Sequence, residues 1–299
     1  MKPFSPLWSQ WHGQVKQFFT MLHGHQKKVL ALFVLGAIKA ESIVVQRVAE
    51  ELLEVSEAKA PSIERRLERF LSNERIEVEA IWDHFLAQVL PTWRNQPVTL
   101  ILDITPFEEH AQVIYLGLLQ QSRVLPLAWK VMPGQEEWEQ GQWEIVAALF
   151  ERVARGLGQA DCTLIADRGL SCLRLIQLCQ AHGWHYVLRI KQDEYAQRKR
   201  YGTFGGWQLE SSHVRHRERL ERLLLILFLA LWWLIHLAAS CIHSGRRDRY
   251  NRHDRRDKGL LRLGRLYLLD IERGGYDGAL RQCLLLRRQH QRWTFVLRF

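Results

Sequence analysis

Two stretches, VTLILDIT (98–105) and CTLIADRG (162–169), decide the fold that the sequence predicts. Each is a short apolar run that leads into an aspartate, Asp103 in the first stretch and Asp167 in the second. A strand that is apolar at successive positions is covered on both faces, as in the parallel part of an α/β sheet. The acid that follows it then lies at the carboxyl edge of the sheet, where open α/β sheets place their chemistry.

Two carboxylates that lie close together repel each other, and a bound divalent cation removes that repulsion. Carboxylate oxygens are hard ligands that suit Mg²⁺ or Mn²⁺, and two such ions can stabilise the attacking and leaving oxygens of a phosphodiester. A structural interpretation stays open for each residue. Asp103 would then begin a turn before Pro106, and Asp167 would cap a helix that begins near Leu170.

The segments around the two aspartates predict a mixed α/β sheet. Three strand-like segments in succession predict an antiparallel meander. A helix over about 142–155, the strand that ends at Asp167, a helix over 170–181 and a fifth strand, HYVLRI (185–190), follow. This is the order of an RNase H-like sheet, in which a right-handed crossover places the fourth strand parallel to the first. Asp103 and Asp167 would then lie side by side.

Four zones divide the chain. Residues 1–95 have helical periodicity and predict an all-helical domain, and residues 96–192 predict the RNase H-like core. Residues 193–212 form a junction. Residues 213–299 predict a long apolar helix followed by a basic region, and the simplest interpretation of Trp232 and Trp233 is that they pack against the sheet.

Composition favours a globular protein with an anionic partner. The 299 residues are 47% hydrophobic, and the formal net charge is +10. A charge of this sign favours nucleic acid or an acidic membrane surface. The five cysteines have no CxxC spacing, which argues against a disulfide framework or a zinc site and favours a reducing, cytoplasmic location.

A continuous apolar run, LLLILFLALWWLI (223–235), raises the question of a membrane. It is shorter than the roughly 20 residues that span a bilayer. A helix buried inside a soluble domain has the same pattern, and we expect no membrane contact.

The ordered motifs resemble those of the DDE transposases of the IS4-type insertion sequences. The resemblance is carried by LILDIT, YLGLL, PLAWKVMPG and LIADRGL followed by HYVLRIK, and the helical SIERRLERFLSN segment is similar to the DNA-binding region of the same family. It implies cleavage and strand transfer of double-stranded DNA with two Mg²⁺ or Mn²⁺ ions. Asp103 and Asp167 would be the first two acidic metal ligands, and transposition of two DNA ends would suggest a homodimer.

The third acid of the resembled family is where the sequence departs from the pattern. The family carries it in a motif Y-x2-R-x3-E-x6-K, and Tyr195 and Arg198 match its first two positions. The glutamate position falls on Gly202 and the lysine position on Leu209. Either an internal deletion removed the catalytic helix, or Glu210 replaces the missing acid; Glu194 is a weaker candidate.

Basic residues outside the aspartate pair are candidates for DNA contact. The segment 245–265 holds nine Lys or Arg residues against three Asp, which suits a phosphate backbone, although a solvated connector with internal ion pairs explains it as well. Arg168 would steady a phosphate or form part of a turn, and the arginines of the SIERRLERFLSN segment would meet DNA or lie on a solvated helix face. The predicted DNA contacts are Arg65, Arg66, Arg69, Arg168, Arg246, Arg247, Arg249, Arg252, Arg255, Arg256 and Lys258.

The sequence therefore predicts a DDE transposase whose catalysis is impaired if the third acid is lost. A DNA-binding remnant without strand-transfer activity is the main alternative. A basic membrane-associated protein is the least favoured one.

Overall fold

The computed structural model describes residues 6–107, 109–120, 123–134, 141–170, 172–188, 207–251 and 258–273. Within these ranges the helices are α1 (Pro6–Phe18), α2 (Gly24–Ala40), α3 (Val45–Glu51), α4 (Ala60–Leu71), α5 (Val78–Val89), α6 (Gln142–Leu157), α7 (Leu173–Ala181), α8 (Arg217–His243), α9 (Arg247–Tyr250) and α10 (Leu260–Glu272). The strands are β1 (Pro97–Phe107), β2 (Ala111–Gln120), β3 (Arg123–Pro133), β4 (Asp161–Ala166) and β5 (His185–Leu188). The fold is mixed α/β.

The described chain forms two compact units. The helical unit contains the residues up to Ile81 and those from Trp207 onward, and the sheet unit runs from Trp82 to the end of β5. Helix α5 continues from one unit into the other. Segments that the sequence assigned to separate zones, 1–95 and 213–299, thus contribute helices to the same unit.

The sheet unit is built on one mixed sheet with the strand order β3-β2-β1-β4-β5. Strands β1, β2 and β3 pair antiparallel, whereas β4 pairs parallel to β1 and β5 pairs parallel to β4. Each of the five segments predicted as a strand overlaps one of these strands. Helix α6 connects β3 to β4 and packs its apolar stripe on β2 and β3.

The helical unit is organised around α8, which is buried along almost its whole length. Its neighbours include α10, α2 and α4, and α2 is itself buried on every side from Val29 to Lys39. Helices that are apolar all round belong in the interior of a domain or in a membrane. By length and composition α8 alone among the described helices could cross a membrane, but 89% of its most apolar window is buried inside the protein.

Trp233 of α8 has an aromatic partner that the sequence did not indicate. Its ring stacks on that of Trp11 in α1, with 3.7 Å between the ring centroids, so it packs within the helical unit. The Trp11 indole N–H donates to the carbonyl of Ala31 at 2.9 Å. This aromatic pair therefore joins α1 to α8 and to α2.

Two arginines, one buried and one partly buried, donate hydrogen bonds to carbonyl groups at helix ends. Arg222 of α8 donates from Nη1 to the carbonyl of Leu71, at the end of α4, at 2.9 Å. Arg265 of α10 donates from Nη2 to the carbonyl of Lys39 at 2.9 Å and so satisfies an acceptor at the end of α2.

The ammonium of Lys39 provides a second link to α10. It lies 2.7 Å from a carboxylate oxygen of Glu54 and 3.2 Å from one of Glu272. Burial works to lower the pKa of Lys39, but the two carboxylates outweigh it and the pKa is raised. The lysine therefore stays charged in the interior of the unit.

Helices α8 and α10 approach so closely that a glycine is required between them. A Cβ added at Gly264 would lie 2.0 Å from the carbonyl oxygen of Leu234. We expect Gly264→Ala to lower the free energy of unfolding by about 1–3 kcal/mol, because the backbone has to move. Urea unfolding followed by circular dichroism measures this. Gly13→Ala, in α1 with no atom within 4 Å of the added carbon, is the control. It should stabilise the protein by up to about 1 kcal/mol, and an equal effect of both substitutions would contradict the close approach.

Candidate metal centre

The two aspartates follow the last residue pair of the β1–β4 ladder. That pair is Leu102 and Ala166, so the next residue on β1 is Asp103 and the next after β4 is Asp167. Because the strands run parallel, both acids lie at the same end of the ladder. The structure thus brings together the two acids that the sequence singled out.

The apolar run before Asp103 suggested that β1 ends there, but the strand is longer. It continues to Phe107, and over these residues it pairs with β2 on one side while β4 has already ended on the other. Asp103 is therefore half-buried inside a strand, and Asp167 is exposed just beyond one. A turn beginning at Asp103 is excluded by this geometry.

The carboxylate of Asp103 is held by two hydroxyl groups. Its Oδ2 accepts a hydrogen bond from Tyr115 at 3.2 Å and another from Thr105 at 3.3 Å. Tyr115 is the cross-strand neighbour of Asp103 on β2, and only 1% of it is exposed. These contacts fix one oxygen of the carboxylate and orient the group.

Electrostatics at this position oppose the ionised form of Asp103. Burial raises the pKa of Asp103, the hydrogen bonds from Tyr115, from the Ile104 backbone and from Thr105 lower it, and the negative charge of Asp167 raises it again. The pKa is raised overall. A positive ion near both carboxylates would remove the repulsion and favour the ionised form.

Asp167 leads directly into a 3-10 helix, Arg168–Leu170, and the amide N–H of Leu170 donates to the carbonyl of Asp167 at 3.0 Å. Helix α7 begins only at Leu173, three residues later than the sequence suggested. The position of Asp167 before a helical turn also fits the capping interpretation. Arg168 lies in the 3-10 helix, next to the aspartate.

The candidate for the third acid does not belong to the same unit as the two aspartates. Glu210 begins a 3-10 helix, Glu210–Ser212, that belongs to the helical unit, whereas both aspartates belong to the sheet unit. Leu209, at the motif's lysine position, is buried. Among the described residues no group of three or more His, Cys, Asp or Glu side chains is arranged to hold a metal ion. Glu194, Tyr195, Arg198 and Gly202 lie outside the described residues.

The three arginines of the N-terminal zone lie on α4. Arg65, Arg66 and Arg69 are all exposed. The helix begins at Ala60 and has Pro61 in its first turn, a position that the fixed φ of proline fits.

The basic segment after α8 is partly engaged within the protein. Arg246 donates to the hydroxyl of Tyr267 at 3.2 Å, and Arg249 lies 3.3 Å from the carboxylate of Asp270, both on α10. Lys258 donates to the backbone carbonyl of Tyr250. These contacts favour the connector interpretation for this segment. Arg247 is half-buried, and Arg252, Arg255 and Arg256 lie outside the described residues.

Two residues of the site were not found from the sequence. Tyr115 and Thr105 bond to Asp103, but only the register of β1 against β2 brings the tyrosine to that position. The available signal was weak: Thr105 lies two residues after Asp103 and therefore on the same face of an extended strand.

Comparison with known protein families, with curated proteins and with solved structures found no match to the chain.

The raised pKa of Asp103 predicts a pH-dependent effect of neutralising it. A carboxyl group whose pKa is higher in the folded protein than its ordinary value of 3.8 contributes stability below that value, and this contribution is lost as pH rises through the folded pKa. At neutral pH the ionised carboxylate of Asp103 therefore lowers the stability of the folded state. We expect Asp103→Asn to gain stability relative to the unmodified protein between pH 3 and pH 7, as measured by urea unfolding.

Asp161→Asn is the matched control for this prediction. Asp161 lies at the opposite end of β4, and its contact with His185 is exposed on both sides, so it contributes little. A pH profile of Asp103→Asn that is indistinguishable from that of Asp161→Asn would rule out a strained carboxylate at position 103.

Proposed function

We propose that the sheet unit is an RNase H-like domain that binds divalent metal ions at Asp103 and Asp167 and cleaves and joins DNA as a transposase of the IS4-type DDE class. The observation that carries this proposal is the parallel pairing of β1 with β4, which gives the two acids successive positions at one end of the ladder. The strand order β3-β2-β1-β4-β5, with only β2 antiparallel to the rest, supports the RNase H-like assignment.

The donor set fits one Mg²⁺ or Mn²⁺ ion. Magnesium is commonly held in proteins by one or two carboxylates together with substrate phosphates and water. Asp103 and Asp167 provide two carboxylates, and their mutual repulsion is of the kind that a cation removes. A second ion, which the transposase class would use, requires a further acid.

The residues around the pair suggest a division of work. The bound ion would polarise a phosphodiester and lower the pKa of an attacking water or 3′-hydroxyl. Tyr115 and Thr105 would keep the Asp103 carboxylate in one orientation through their hydroxyl groups. Because Asp167 is exposed, a cation held there would be accessible from solvent to a nucleic-acid phosphate.

A second candidate function is a DNA-binding remnant without catalysis. The observation that favours it is the lack of a third acid beside the pair among the described residues. Either Glu210 serves as the third acid, or the site binds one metal weakly and cuts poorly.

For both functions we propose double-stranded DNA as the partner, a homodimer as the assembly and the cytoplasm as the location. A basic membrane-associated protein is less favoured, because α8 is buried in the helical unit.

Metal binding at the pair is tested by thermal unfolding with and without Mg²⁺ or Mn²⁺. A ligand that binds only the folded state at a hundred times its Kd stabilises it by about 2.7 kcal/mol. We expect Mn²⁺ to raise the melting temperature of the unmodified chain and of Asp161→Asn. It should not raise that of Asp103→Asn or Asp167→Asn. Equal responses of all four proteins would show that no ion binds at the pair.

Catalysis is tested with DNA that carries the sequences flanking the gene, incubated with Mg²⁺ or Mn²⁺. We expect metal-dependent nicking that is lost in Asp103→Ala and Asp167→Ala and unchanged in Asp161→Ala. Loss in Glu210→Ala as well would assign it as the third acid. An unmodified chain that binds this DNA but never nicks it would establish the remnant instead.

A further inference from the structure

Two hydroxyl groups converge on one oxygen of the Asp103 carboxylate. Tyr115 donates to Oδ2 at 3.2 Å, and Thr105 donates to the same atom at 3.3 Å. Thr105 lies two residues after Asp103 on β1, and Tyr115 lies opposite Asp103 on β2. Residues at these positions share one face of a sheet, so both donors reach the carboxylate from its own side of the sheet.

These hydrogen bonds decide which oxygen can bind a cation. A carboxylate offers about four acceptor positions, two on each oxygen. The two hydroxyl groups fill the positions on Oδ2, and the backbone N–H of Ile104 donates to the carboxylate as well. Any position that remains is therefore on Oδ1. A cation beside Asp103 would be held by this oxygen alone, while the protein retains the other.

Both donors are fixed by the fold. Only 1% of Tyr115 is exposed, and its strand, β2, is paired on both sides. Thr105 is paired with Val113 of β2, and branching at Cβ restricts the rotation of a threonine side chain. Rotation of the carboxylate to present both oxygens would break both hydrogen bonds. Each bond is longer than the about 2.7–2.8 Å typical between oxygen atoms, so we expect the two hydroxyl groups to act together.

We propose that Tyr115 and Thr105 are positioning residues that hold Asp103 to a one-oxygen mode of cation binding and thereby make the site prefer Mg²⁺ or Mn²⁺ to Ca²⁺. Calcium takes about six to eight oxygen ligands and often uses both oxygens of a carboxylate, whereas magnesium requires an octahedron. Manganese accepts the same octahedral arrangement of oxygen ligands. Ligand number and flexibility decide between these cations, and the two hydroxyl groups limit both. The inference rests on the proposed function in that a divalent cation binds at the aspartate pair.

The test measures the affinity of each cation for the full chain. Isothermal titration calorimetry with manganese, magnesium and calcium chloride gives the three Kd values, and Asp103→Asn gives the background without the site. We expect the unmodified chain to bind Mn²⁺ and Mg²⁺ more tightly than Ca²⁺.

The decisive variant is the double substitution Tyr115→Phe with Thr105→Val, which keeps the shape of both side chains and removes both hydroxyl groups. Its Kd for Mn²⁺ should rise by about tenfold or more, the usual effect of losing groups that orient a metal ligand. Its Kd for Ca²⁺ should stay the same or fall, because both carboxylate oxygens become available. The ratio of the Ca²⁺ Kd to the Mn²⁺ Kd should therefore fall by about tenfold or more.

Matched variants separate positioning from a general effect on the fold. Thr105→Ser keeps the hydroxyl group and should keep both the Mn²⁺ affinity and the preference over Ca²⁺. Thr99→Val makes the same change as Thr105→Val on the same strand and the same face, and Tyr186→Phe removes a hydroxyl group from β5. Both controls should leave the Kd ratio unchanged. Circular dichroism and the melting temperature in EDTA check that each variant is folded.

Three results would overturn the inference: an unmodified chain that binds Ca²⁺ as tightly as Mn²⁺, a double variant with an unchanged Kd ratio, or controls that lose the preference as fully as the double variant. Failure of the proposed function gives a different result. An unmodified chain that takes up no more cation than Asp103→Asn contradicts the metal site and the inference together. A chain that binds cations as expected but never nicks DNA contradicts only the proposed catalysis.

Discussion

The parallel pairing of β1 with β4 is the constraint on which the candidate site depends. Strands β2 and β3 and helix α6 lie between β1 and β4 in the chain. Asp103 and Asp167 come together because each follows the last residue pair of the β1–β4 ladder. Strand β4 ends at Ala166, whereas β1 continues to Phe107. Asp167 is therefore exposed and Asp103 is half-buried. Burial and the neighbouring charge both act against ionisation of Asp103. A fold without a use for this pair would be more stable with a neutral side chain there, since ionised groups in partly buried positions are costly.

A different constraint shapes the helical unit. Helices α2 and α8 are apolar on nearly every side, so each must be enclosed by other helices. Arg222 donates to the carbonyls of Leu71 and Ile76, Arg265 donates to the carbonyl of Lys39 and pairs with Glu41, and Lys39 lies between two carboxylates. Buried cations are tolerated when they are paired in this way. The same composition that suggests a membrane span is therefore accommodated by a core assembled from both ends of the described chain.

Much of the sheet was predictable because its strands are marked by apolar runs and turn residues. The order of the strands and helices followed from the sequence. The juxtaposition of the two aspartates was expected from the sheet topology that this order suggested, in which a right-handed crossover places the fourth strand parallel beside the first. The end of β1 was not predictable from the sequence. Residues 104–107 belong to the strand because they pair with β2, and not because they form an apolar run. Tyr115 was missed because its position beside Asp103 depends on the register of β1 against β2, which the sequence of either strand does not reveal. The stacking of Trp233 on Trp11 was not predicted, because a buried helix does not reveal which elements cover it. In the basic segment the charges were visible, but their partners Tyr267 and Asp270 on α10 were not.

The dependence of α2 on α8 and α10 sets an order of events during synthesis. The described part of the sheet unit, which ends with β5, is synthesised before α8, and domains generally fold as they are made. The apolar surface of α2 stays exposed during synthesis until α8 and α10, more than a hundred residues later in the chain, have been made and can cover it. Contacts so distant in sequence are slow to form. A fragment that contains only α1 to α4 would therefore lack part of its own core, and α2 has all of its native neighbours only in a chain that extends through α10.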